Sequence, residues 1–171
     1  ESPMLVKDSK EKNIEYFKPV LEHAAKKNIG IAIENLWDLN IAPRRRYTTT
    51  AEELVDLVDT LSKEYNNVGI CWDFEHADIM KQGQGPALKM IGSRLKATHV
   101  SDNIGIQNDH ILPYSGYTDW TEIMQILKEI KYQGDFTYEI HRYITQLPDA
   151  LVVAALKYSV EVGNYLLSLA K

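Results

Sequence analysis

The stretch Val68-Gly69-Ile70-Cys71-Trp72-Asp73 decides how this chain folds. Five apolar or small residues run together and end on a carboxylate, directly after the turn pair Asn66-Asn67. A strand buried on both faces reads as a near-continuous apolar run, which places this one inside a parallel sheet. Three more runs have the same form: Gly30-Ile31-Ala32-Ile33-Glu34, Leu95-Lys96-Ala97-Thr98-His99 and Asp135-Phe136-Thr137-Tyr138-Glu139. Each closes on a side chain able to bind a divalent metal. The last residue of a parallel strand lies at the carboxyl edge of its sheet, where α/β folds bind ligands.

Helical patterns fill the intervals. Residues 8–28 carry Ile14, Phe17, Val20, Leu21, Ala24 and Ala25 at helical spacing, with Asn28 as a stop signal. Thr50 with Glu53 three places on forms a capping box for a helix burying Leu54, Val55, Leu57, Val58 and Leu61, running to about Tyr65. A shorter crossover is helical near His76–Lys81, broken at Gly83 and Gly85, and helical again from Pro86. A long loop, Ser101–Thr118, precedes a second capping box, Asp119 with Glu122, and a helix burying Ile123, Ile126, Leu127 and Ile130. From Pro148 the residues Leu151, Val152, Ala155, Leu156, Val160, Leu166 and Leu167 describe a closing helix. Each gap between strand ends exceeds the dozen or so residues that a parallel crossover needs. With no linker or low-complexity segment, residues 1–171 read as one layered α/β domain.

Composition narrows the function. At 171 residues, 44% apolar and 25% charged, the chain can build one real core. A net charge of −5 argues against a nucleic-acid partner, and the one positive run, Arg44-Arg45-Arg46, reads as a solvated patch or phosphate anchor. The single cysteine, Cys71, lies within an apolar strand and reads as buried and inert, in keeping with a reducing cytosol. No stretch reads as a membrane span of roughly 18 residues, and no signal segment opens the chain, so a cytoplasmic location without membrane contact is expected. Because the first residue is Glu1, the chain is expected to be a piece of something longer.

Three carboxylates and one imidazole suit a hard or borderline dication: manganese first, with magnesium, cobalt or zinc as alternatives. The bland alternative makes these strand ends helix caps or partners of lysines, and His99 a hydrogen-bonded core histidine. Trp72 and Trp120 read as core, whereas Trp37 is a candidate pocket wall.

The set Glu34, Asp73-x-x-His76, His99 and Glu139, together with His99-Val100-Ser101-Asp102-Asn103, Asp109-His110-Ile111-Leu112-Pro113 and Gly116-Tyr117-Thr118-Asp119-Trp120, resembles the carboxyl-terminal half of the xylose isomerase-like TIM barrel superfamily. The closest likeness is to its sugar phosphate isomerase/epimerase group. The resemblance implies a (β/α)8 barrel of which only the last four strand–helix units are present. It implies one divalent metal on Glu34, Asp73, His99 and Glu139, with Glu34 and Glu139 as acid/base residues. Such a site moves a proton on a sugar or sugar phosphate through a metal-stabilised enediolate. His76, Asp109 and His110 are implied substrate contacts, with Asp102 and Asp109 as spare carboxylates for a hydride-shift isomerase. The missing amino-terminal half, or self-association, would close the barrel. The competing readings are an AP-endonuclease-like phosphodiesterase and a non-catalytic sugar-binding or assembly module.

Overall fold

The computed structural model describes residues 4–40, 43–105 and 107–170. The elements run α1 (Val6–Ala25), β1 (Ile31–Glu34), α2 (Ala51–Leu61), β2 (Val68–Asp73), α3 (Phe74–Ile79), α4 (Gln84–Ile91), β3 (Leu95–Val100), α5 (Trp120–Glu129), β4 (Asp135–Tyr138), α6 (His141–Thr145) and α7 (Asp149–Leu169). All four strands are parallel and lie side by side in chain order. This is the order of consecutive β/α units along one arc of a barrel wall. Among the described residues, β1 pairs only with β2 and β4 only with β3, so both flanks are open.

Local chemistry sets the boundaries. Asn28 adopts φ 56°, the left-handed stop after α1. The Thr50 hydroxyl accepts the Glu53 N–H at 3.3 Å to open α2, and Asp119 accepts the Glu122 N–H at 3.0 Å to open α5. Leu54, Leu57, Val58 and Leu61 of α2, Leu88 and Ile91 of α4, and Ile123 and Leu127 of α5 pack with Ile70 and Trp72 of β2. Trp72 and Trp120 are fully buried, each with its indole N–H satisfied, by Gln84 Oε1 and Asp102 Oδ2 at 3.0 Å. Cys71 is buried, as expected.

Three expectations need correction. Helix α4 starts at Gln84, before Pro86; proline is still accommodated because first-turn N–H groups have no intrahelical acceptor. Helix α6 was not foreseen, since five residues are too few to show a period. The largest correction concerns α7. It docks through Ala155, Ser159, Val162 and Leu166, leaving Leu151, Leu156, Val160 and Leu167 exposed. A helix apolar on every side gives periodicity no face to choose. Closeness chooses instead: the Tyr138 hydroxyl donates to the Ser159 carbonyl at 2.9 Å, and a Cβ at Gly163 would come within 3.0 Å of that hydroxyl oxygen. By length and composition α7 is also apolar enough to cross a membrane, contrary to the expectation above, with 28% of its most apolar window buried.

Candidate metal centre

The four strand ends meet. One donor atom each from Glu34, Asp73, His99 and Glu139 lies within 4.8 Å of the others. Strand register brings this about: Asp73 is level with His99, Glu34 pairs with Cys71, two residues back and on the same face, and the Glu139 N–H continues the ladder to the Val100 carbonyl at 3.0 Å.

Asp73 is the most tightly held of the four. Its backbone N–H donates to Asn35 Oδ1 at 2.7 Å and its carbonyl accepts from Asn35 Nδ2 at 2.9 Å. Its Oδ1 accepts the His76 N–H at 2.7 Å, capping α3. The cap reading therefore holds for one oxygen of this carboxylate. The other, Oδ2, is buried without a hydrogen-bond partner, and so is Oε2 of Glu139. Buried carboxylate oxygens without donors are costly, and a cation at the point they face would satisfy both. By that test the residues fit a divalent ion.

His99 Nδ1 lies 2.9 Å from Glu34 Oε1 and 3.2 Å from Glu139 Oε2. The imidazole is pushed up to about 11, first by its contact with Cys71 and next by Glu34, with burial opposing. Burial raises the Cys71 thiol itself, leaving it neutral near pH 7, so the carboxylates are what hold the His99 proton. Asp73 is raised well above the ordinary carboxylate range by burial and by the charges of Glu34, Glu139 and Glu75, against the His76 N–H. Burial pushes Glu34 the same way, but the hydrogen bond and charge of His99, with the charge of His76, bring it net below its usual value.

His76 is 8% exposed and faces the cluster, its Nδ1 2.9 Å from the Asn35 carbonyl and 3.4 Å from Glu34 Oε1. His110 is buried at φ 46°, with Nδ1 3.0 Å from the Glu139 carbonyl. Asp109 is turned to its own loop, where its carboxylate accepts the Ile104 N–H at 3.0 Å. Asp102 is also spoken for, by the N–H groups of Asn103, Tyr114 and Thr118 and by the Trp120 indole, which removes it from the spare metal carboxylates. Trp37 lines a cavity of about 390 Å³ with Asp38, Leu39, Asn40 and Arg46.

Sequence reasoning missed three contributors. Asn35 anchors Asp73. Glu75, fully buried, gathers the loop by accepting the Ser101 hydroxyl at 2.6 Å and the N–H groups of Asp109 and His110. His141 stacks on His110 with ring centroids 4.1 Å apart. Glu75 and His141 carry the ordinary marks of ligand chemistry but stand two places beyond Asp73 and Glu139, past the strands and outside the pattern that singled out their ends.

Comparison with known proteins bears on the fold and the family. A protein of Sinorhizobium fredii, y4fM, uncharacterised, is 32% identical over 132 residues, covering 75% of this chain and 39% of its own length. A D-psicose 3-epimerase of Enterocloster bolteae is 35% identical over 85 residues, covering 50% of this chain and 26% of its own. The crystal structure of a D-psicose 3-epimerase with D-tagatose from Clostridium cellulolyticum H10 superposes with a TM-score of 0.77 at 21% identity, over 96% of this chain and 58% of that one. The chain thus spans a quarter to two fifths of these curated relatives and just over half of the solved barrel. The xylose isomerase-like TIM barrel family model matches residues 3–160, and the chain belongs to that family.

Proposed function

We propose that this chain is the metal-binding half of a sugar isomerase or epimerase that works by proton transfer. The supporting observation is the meeting of Glu34, Asp73, His99 and Glu139, with two buried carboxylate oxygens, Asp73 Oδ2 and Glu139 Oε2, that make no hydrogen bond. Relatives named as sugar epimerases favour a ketose as substrate.

A dication, manganese first, would be held by those four residues and would supply the positive charge that polarises a sugar carbonyl and acidifies the neighbouring C–H. Asp73 and His99 lie on the two inner strands and serve as fixed holders. Glu34 and Glu139 stand on the outer strands with His99 between them, which suits them to take a proton from carbon on one side of the substrate and return one on the other. Against burial, which pushes Glu34 up, the hydrogen bond and charge of His99 hold it below its usual value, toward the ionised state a base requires. His76, fixed by the Asn35 carbonyl, has its ring at the cluster for a substrate oxygen. Asp109 contributes by holding its loop rather than by touching substrate.

The test uses the intact protein, with its other barrel half, loaded with manganese and given D-psicose in D2O. Proton transfer places deuterium on the carbon next to the carbonyl, and Glu139→Gln removes that exchange. Conversion without deuterium incorporation would replace proton transfer by hydride shift. A protein that binds manganese yet converts no ketose would overturn the enzymatic reading in favour of a binding module.

A further inference from the structure

Glu139 belongs to two clusters. Besides the four-residue set, one ring nitrogen of His110, one of His141 and a carboxylate oxygen of Glu139 also lie within 4.8 Å of one another. We infer that these three residues form a second divalent-cation site, with Glu139 as the carboxylate shared by the two centres.

The donor set differs in kind from its neighbour. The first set is three carboxylates and one imidazole; the second is two imidazoles and one carboxylate. Imidazole-rich sites suit zinc, cobalt or nickel, whereas oxygen-rich ones suit manganese or magnesium. The ring of His110 is already fixed as a ligand's would be. Its backbone N–H is held by both oxygens of the buried Glu75 at 3.1 Å, and its Nδ1 is 3.0 Å from the Glu139 carbonyl, which leaves Nε2, now beside the Asn108 amide, as the nitrogen an ion would take. Holding a non-glycine residue at φ 46° is unfavourable, and the Glu75 clamp offsets that cost. His141 opens α6 from the solvent side and closes over His110 at 4.1 Å, tilted by 38°. Glu139 Oε2, buried without a hydrogen bond, marks the shared carboxylate as short of a partner. Three protein ligands leave positions open for water or substrate, the pattern of an accessible rather than a structural ion.

The consequence rests on the proposed function above. A zinc ion on Glu139 would occupy the carboxylate oxygen that the first ion leaves for proton transfer. The second site is therefore an inhibitory one, filled by borderline metals and indifferent to manganese.

The experiment titrates the intact, metal-stripped protein with zinc chloride alone and manganese chloride alone by calorimetry. Wild type takes two zinc ions but one manganese per chain. His141→Ala, at an exposed position, loses one zinc and keeps its manganese, and His110→Ala does the same. In the manganese-loaded enzyme, added zinc lowers turnover at least tenfold, and His141→Ala relieves it. One zinc in wild type, or two that survive His141→Ala, overturns the second site while leaving the first intact. Failure of manganese to bind at all would instead strike the proposed function.

Discussion

Asp73 and Glu139 end strands of the same sheet, yet their surroundings differ. Asp73 ends a strand paired on both sides, is fully buried, and is held at backbone and side chain by Asn35 and the first turn of α3. Glu139 follows a strand that, among the described residues, has a neighbour on one side only; it is part-exposed and leads into a five-residue helix. The inner strands thus set up holders that this chain positions by itself. The outer strands carry the two groups assigned to move protons, and their settings await whatever closes the sheet. An open parallel edge otherwise invites pairing with another chain.

The largest effect should fall on the flanks. Glu34→Gln or Glu139→Gln in the intact protein is expected to reduce turnover about 1000-fold, within the range for losing an acid/base group, while folding is unchanged by circular dichroism. Equal turnover in either variant would move the chemistry to other residues.

Stability should respond in the opposite place. Asp102→Ala leaves the Trp120 indole and the N–H groups of Tyr114 and Thr118 without an acceptor, and is expected to cost about 3 kcal/mol or more in urea unfolding. Asn35→Ala tests the inner strand directly. Freeing Asp73 from its anchor is expected to weaken manganese binding by about 10–100-fold, the usual result of removing support behind a ligand, with the fold retained.

Acidity gives a further contrast. Metal binding must displace the His99 proton, held up to about 11, and the proton of Asp73, whose affinity for it burial and neighbouring carboxylates raise. Protons held by these groups before the ion arrives are lost when it binds, so affinity rises with pH. The expected slope is about tenfold per pH unit from His99 alone, steepening toward about 100-fold where Asp73 is also protonated. Calorimetry in buffers of different ionisation enthalpy counts the protons released. The smallest effect belongs to the outer layer: Thr50→Ala removes one cap and should cost about 1 kcal/mol, read from the urea midpoint.

Much of this was legible beforehand because parallel strands write their burial into consecutive residues. Val68–Asp73 could be read as a strand, and its carboxylate placed at an edge, without any knowledge of its neighbours. Thr50 and Asp119 marked their helices because capping is local. What stayed hidden depends on contacts distant in sequence. The docking face of α7 is chosen by Tyr138, and the fate of Asp102 by Trp120, neither of which a period can reveal. His141 escaped notice for the same reason: its partner, His110, lies 31 residues earlier, in a loop without regular structure.

The central claim is that four strand ends share one ion. Anomalous diffraction at the manganese edge, from crystals of the intact protein grown with manganese, tests it directly. The account predicts a single strong peak within bonding distance of Glu34, Asp73, His99 and Glu139. No peak at that point, or one that leaves Asp73 Oδ2 unligated, would contradict it.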